Sequence, residues 1–188
     1  MRNFLGSAAL AVALSGLVVL SAQAAVTVFG DEAAGQCSQA AIAGRSDASS
    51  ESYCTTALNE DTLSAEDRAG TFVNRGIMKL RREEFESSHA DFNAAVALVP
   101  TMGEAWANRG AMWVGEKHFQ AGLDDLNKGL TLGVKEPEKV YFNRALAFEG
   151  LDDEKSAYFD YQHALQLKPN WLLPQKELLR FHVSQKPE

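Results

Sequence analysis

Three arginines and three aspartates recur at matched spacing. Arg75, Arg109 and Arg144 are separated by 34 and then 35 residues, and each precedes an aspartate (Asp91, Asp125 and Asp160) by 16 residues. A guanidinium can hold both oxygens of a carboxylate with two parallel N–H bonds. Two chemistries are therefore open: an anion site built from three arginines, or an Arg–Asp pair stitching each unit internally. The matched partner of every arginine favours the stitch. Each arginine also follows directly on an asparagine, Asn74, Asn108 or Asn143. A carboxamide carries both a donor and an acceptor, the pair needed to read a peptide backbone. It can equally bond a neighbouring carbonyl within the protein, and spacing alone does not choose.

The remaining reactive side chains form no catalytic constellation. His89, His118, His163 and His182 are far apart in sequence, lack metal-motif spacing and read as polar residues on helix surfaces. No nucleophile elbow, Gly-rich phosphate loop or zinc-binding H-E-x-x-H is present. Asp152, Asp153 and Glu154 read as a solvated run that complements a helix start. Neither a catalytic residue nor a metal or cofactor is expected.

The elements that must position the ladders follow from the repeat itself. VNRG at Val73–Gly76, ANRG at Ala107–Gly110 and FNRA at Phe142–Ala145 are preceded by the aromatics Phe72, Trp106 and Tyr141. Further columns hold Ser88, Gly122 and Ala157, then Phe92, Leu126 and Tyr161, then Ala95, Gly129 and Ala164, with closures near Pro100, Val134 and Pro169. Apolar spacings of three and four are those of one helix face. The pattern resembles the tetratricopeptide repeat across residues 69–170. That resemblance implies an all-α solenoid of helical hairpins, read as 68–81 with 84–98, 103–115 with 118–132, and 137–149 with 153–167. Thr101 and Glu104 have capping-box spacing, and Pro137 suits a first helical turn. Lys79 and Glu154 depart from aromatic columns, so those spots should pack less well, and Val134 in place of Pro should loosen the turn after Leu132. A last helix over 171–184, with Trp171, Leu172, Leu178, Leu179 and Phe181 on one side, reads as a cap.

By the same resemblance, stacked first helices line a concave groove. Asn74, Asn108 and Asn143 are expected to face it beside Val73, Ile77, Ala107, Ala111, Phe142 and Leu146. The carboxylate-clamp subfamily, which grips acidic chaperone tails, uses Lys and Arg at spots filled here by Val73, Ile77 and Glu104, so that specificity does not carry over. Cys54, Ala57 and Leu58 share the spacing of Phe92, Ala95 and Val96, which implies a degenerate first hairpin over 31–43 and 48–60. Cys37 and Cys54 would then lie on facing helices.

Arg2, the apolar run Phe4–Leu20 and the small residues Ala22 and Ala24 have the layout of a cleavable export signal cut before Ala25. An uncleaved anchor is the alternative, but the run falls short of the roughly 20 apolar residues that span a bilayer and contains Gly6, Ser7, Ser15 and Gly16. No cysteine follows the cut, which argues against lipoprotein processing. Residues 25–188 would carry 17 basic and 25 acidic side chains, a net charge of −8. Such acidity opposes binding to nucleic acid or anionic membrane. An even pair of cysteines in an oxidising compartment implies a Cys37–Cys54 disulfide.

The domain reading is a signal over 1–24, a disulfide-linked degenerate hairpin over 25–62, three repeats over 63–170, and a capping helix and tail over 171–188. The functional expectation is a non-catalytic scaffold, periplasmic or secreted, that holds a protein or peptide segment in the groove and does not insert stably in a membrane. The alternative is small-ligand binding or an accessory subunit of an envelope enzyme complex.

Overall fold

A computed structural model describes residues 3–4, 23–29, 32–60, 62–181 and 183–184. The described residues contain nine helices: α1 Glu32–Ile42, α2 Ala48–Asn59, α3 Ala65–Arg81, α4 Phe85–Leu98, α5 Gly103–Gly115, α6 Phe119–Leu132, α7 Pro137–Gly150, α8 Glu154–Leu167 and α9 Leu172–Leu178. Asn3–Phe4 pair antiparallel with Val183–Ser184. The apolar run expected to form the export signal lies outside the described residues except for Phe4. No helix among the described residues is long and apolar enough to cross a membrane.

Helices pack as four consecutive hairpins, α1 with α2 through α7 with α8, and the first helices α1, α3, α5 and α7 contact one another in turn. Large residues from the second helices fill the space between layers: Phe92, Leu126 and Tyr161 are fully buried. Burying a ring such as Phe92 contributes about 1.5–3 kcal/mol. The facing position must be small, because a Cβ on Gly76 would lie 2.7 Å from Phe92 Cε1. The large-against-small columns of the sequence are thus the interlayer contacts of the solenoid.

All four hairpins turn in the same way. Gly44, Glu83, Lys117 and Asp152 adopt left-handed φ values of 77°, 61°, 64° and 60°. Each is followed by an amide that closes back five residues: Arg45 to Ala40, Glu84 to Lys79, His118 to Trp113 and Asp153 to Phe148. This is the Schellman closure of a helix C-terminus. Only the first hairpin supplies the glycine that the conformation favours.

Several boundaries differ from the sequence expectation. Helix α3 begins at Ala65 rather than 68, because Ser64 Oγ accepts from Asp67 N at 3.0 Å and caps an earlier turn. Thr101 does not cap α5; the N-cap is Met102, without a side-chain bond, and Glu104 Oε1 accepts from Lys135 N at 3.1 Å in the next connection. The turn after Leu132 is closed by Gly133, at φ 89°, whose N–H donates to Gly129 O at 3.0 Å. Lys79 does not leave a packing gap, since its Nζ lies 2.8 Å from Asp91 Oδ2.

Helix α9 ends at Leu178, short of the expected 184. The amides of Leu179, Arg180 and Phe181 close back three residues each, tightening the chain. Arg180 then reaches Glu149 at 2.8 Å, and the Phe181 ring meets those of Tyr158 and Tyr161. Leu172 and Leu179, expected on the packed side, are 65% and 83% exposed. Trp171, Leu178 and Phe181 do pack on the third repeat.

Candidate functional site

Two ladders leave the first helices on neighbouring residues and go opposite ways. Arg75, Arg109 and Arg144 turn toward the second helix of their own hairpin. Arg75 Nε and Nη2 donate to Asp91 at 2.9 and 2.7 Å, Arg109 to Asp125 at 2.7 and 3.0 Å, and Arg144 to Asp160 at 2.7 and 2.8 Å. The remaining Nη1 donates to the preceding repeat, reaching Thr55 Oγ1 at 3.2 Å, Asn93 Oδ1 at 2.8 Å and Asn127 Oδ1 at 2.8 Å. Each guanidinium also lies over the aromatic three residues earlier: Phe72, Trp106 or Tyr141. The Asp160 carboxylate holds the Arg144 pKa above its usual value, partly opposed by burial. With its nitrogens turned to carboxylate and neighbouring repeat, each arginine acts as a stitch within and between hairpins and has no free fork for an anion.

Asn74 and Asn108 turn the other way, onto an extended stretch of the chain itself. Asn74 Oδ1 accepts from Val26 N at 2.8 Å while its Nδ2 donates to Val26 O at 2.7 Å. One carboxamide thus reads both polar groups of a single residue. Asn108 Nδ2 donates to Ala24 O at 3.1 Å and also to Glu104 O of its own helix at 2.8 Å. Asn143 is buried in the same column.

Four further residues take part that the sequence reading did not single out. Ser38 Oγ donates to Val26 O at 3.0 Å and accepts from Val28 N at 3.3 Å. Asp67 Oδ1 accepts from Phe29 N at 3.1 Å, and Lys139 Nζ donates to Gln23 O at 2.9 Å. The fourth, Gly70, supplies room: a Cβ there would lie 2.9 Å from Val26 Cγ1 and 3.0 Å from Val28 Cγ2. A signal for these was present. Gly70 and Lys139 each stand four residues before a ladder asparagine, and Asp67 seven before Asn74, which places them on the same helix face. Ser38 was hidden because its hairpin matches the repeat poorly.

The apolar residues expected beside the amides are in the core. Val73, Ile77 and Ala111 are buried, as are Ala107 and Leu146. Phe142 is fully buried, with its ring centroid 5.6 Å from that of Tyr161 and 5.0 Å from that of Trp171. Ala25 and Val26 of the extended segment pack against the core cluster that includes Val73 and Ile77, Val28 sits with Ala34 and Ala57, and the two valines close over Gly70.

Cys37 and Cys54 form a disulfide between α1 and α2, with Cα atoms 4.8 Å apart. His89 and His118 flank Trp113, His163 lies against Tyr141, and His182 is outside the described residues. Among the described residues no group of three or more His, Cys, Asp or Glu side chains could hold a metal ion. Tyr161, deeply buried, donates to Glu149 Oε1 at 2.5 Å; burial first and Glu149 second push its pKa well up.

No family model matches the chain. Sperm-associated antigen 1 of Mus musculus is 28% identical over 111 residues; the match takes in 55% of this chain and 12% of that protein, so the chain spans about an eighth of its length. Solved structures are similar over more of the chain. The Arabidopsis OM64 TPR domain superposes with a TM-score of 0.58 at 22% identity, covering 62% of this chain and 96% of its own. The first TPR domain of human RPAP3 gives 0.56 at 21% identity, covering 60% and 87%. MamA from Desulfovibrio magneticus gives 0.60 at 16% identity, covering 79% and 82%. The chain has the tetratricopeptide-repeat fold.

Proposed function

We propose that this protein is an exported, non-catalytic scaffold that holds an extended segment of a partner protein in the groove formed by its first helices. The observation that carries the reading is the two-way grip of Asn74 on the backbone of Val26. A side chain that satisfies both the N–H and the C=O of one extended residue does for a peptide what a neighbouring β-strand would do. Further support comes from Asn108, Ser38, Asp67 and Lys139, which read other backbone groups of the same segment. Export rests on the charged start, apolar run and small-residue cut of the N-terminus, and the cysteine pair fits an oxidising compartment. The described side chains offer a recognition surface rather than a nucleophile–base pair.

The test is retention of an envelope protein by the immobilised protein, compared with the folded triple variant Asn74→Ala, Asn108→Ala, Asn143→Ala. Each amide contact contributes about 0.5–1.5 kcal/mol, so single changes should weaken retention several-fold and the triple change should remove it. Wild-type retention by the folded triple variant would move the partner site to the outer face or to α9. Export is checked separately: protein recovered from the periplasm should begin at Ala25.

A further inference from the structure

The segment held in the groove is part of the same chain, and from Val26 to Phe29 its side chains alternate. Ala24 and Val28 are 6% and 5% exposed, Val26 is half-buried between them, and Phe29 is 87% exposed. From Val26 to Phe29 that is the period of an extended strand, with Val26 and Val28 toward the helices and Thr27 and Phe29 outward, whereas Gln23 and Ala24 are both buried and Ala25 packs on the core beside Cys37 and Cys54. The inward positions meet different surroundings. Val26 and Val28 close over Gly70, where the two γ-methyl groups occupy the space a Cβ would fill. The same column holds Glu104 and Lys139 in the next two repeats, so the apolar cradle exists only at the first of the three. Side chains meet backbone groups of Gln23, Ala24, Val26, Val28 and Phe29 along the strand, whereas at Gly70 the room is taken by two β-branched residues.

We infer that the groove selects an extended strand with small or β-branched side chains at alternate positions, and that residues 23–29 are a resident copy of that ligand which an incoming strand must displace. The inference rests on the groove being the partner site. If the chain is cut before Ala25, Ala25–Phe29 stays and keeps the grips of Asn74, Ser38 and Asp67, while those of Asn108 and Lys139 fall free for the newcomer. Only two residues separate Phe29 from α1, so the resident strand competes at the effective concentration of a short tether, on the order of millimolar. A strand in trans meets that competition until the resident is loosened.

The probe is a fluorescently labelled peptide of sequence QAAVTVF, titrated into the purified protein. Val26→Pro loosens the resident strand, because proline lacks the N–H that Asn74 Oδ1 accepts and sits outside every helix. Val28→Asp is a second way to loosen it. Both variants should fold as the wild type by circular dichroism and bind the peptide at least about tenfold tighter. Adding Gly70→Leu should abolish the gain, since the three atoms nearest to a Cβ at Gly70 all belong to Val26 and Val28. A peptide with aspartate in place of both valines should not bind. Equal affinity for wild type and both loosened variants would overturn the resident-strand idea. Undiminished binding by Gly70→Leu, or of the aspartate peptide, would overturn the selectivity. Loss of an envelope partner in the triple asparagine variant, without any gain on loosening, would leave the partner site standing and remove this inference. Peptide binding without any retained partner would do the reverse.

Discussion

The two faces of the first helices differ in what their polar side chains are for. Asn74 and Arg75 are adjacent, as are Asn108 and Arg109, yet the asparagine of each pair reads an extended strand and the arginine locks a hairpin. A step of one residue rotates a side chain by about 100° around a helix, enough to separate recognition from support. The arginine face is closed: its carboxylates are almost wholly buried and its guanidiniums reach three partners. The asparagine face differs in that what fills it is an extended segment of the chain and not another helix.

Removing one member of a closed pair should have the largest effect. Arg109→Ala leaves Asp125 with its side chain 10% exposed and no counter-charge. A loss of about 2–3 kcal/mol is expected, below the 3–5 kcal/mol of fully buried pairs because the arginine is partly solvated. Asp125→Ala should cost a similar amount, and the double variant less than the sum, by urea unfolding. If Arg109→Ala left the unfolding midpoint unchanged and abolished partner binding, the arginines would belong to the recognition face.

The first hairpin sharpens the contrast, because a disulfide joins α1 to α2 where the later hairpins carry an ion pair. In the chain-entropy model a loop of this size stabilises by roughly 3 kcal/mol, and the double change Cys37→Ala, Cys54→Ala should lose most of that. One crosslinked peptide is expected by mass spectrometry without reduction. Two free thiols in protein purified without reductant would remove the device.

Asn74→Ala should act locally. The Val26 amide loses its acceptor, so its hydrogen exchange should accelerate about fivefold, as for a bond of about 1 kcal/mol, while amides inside α5 and α6 keep their protection. Global loss of protection would show that the asparagine ladder is structural as well.

The smallest expected effect is at the Asp153 cap, where bonds from Ser156 hold the carboxylate below its ordinary pKa. A depressed carboxylate stabilises above its unfolded value of about 4 and loses that contribution as pH falls through the folded value. The advantage of wild type over Asp153→Asn should therefore be full at neutral pH and fade below about pH 4, read from acid unfolding curves. An advantage that grew on acidification would reverse the assignment.

The repeat made most of the fold legible. Columns such as Phe92, Leu126 and Tyr161 recur because each hairpin buries the same face against its neighbour, so helix number, pairing and the 16-residue Arg–Asp step could be read without coordinates. Boundaries set by one local bond, such as the Ser64 cap, were not read in advance, and the end of α9 was decided by Phe181 docking on Tyr158 and Tyr161. The Asn ladder was visible, but its dual use was left open by the sequence, since a carboxamide can serve either a helix carbonyl or a strand. Asn108 does both.

Residue spacing by itself determined which side chains share a helix face, because 3.6 residues per turn is a property of the backbone alone. Tertiary structure alone decided what each face meets. Sequence could not place Gln23–Phe29 against Asn74, Asn108 and Lys139, contacts spanning 48 to 116 residues, because no periodicity relates an extended strand to the helices that hold it. That match depends on backbone groups, which every residue carries, meeting side chains brought into line only when the hairpins stack.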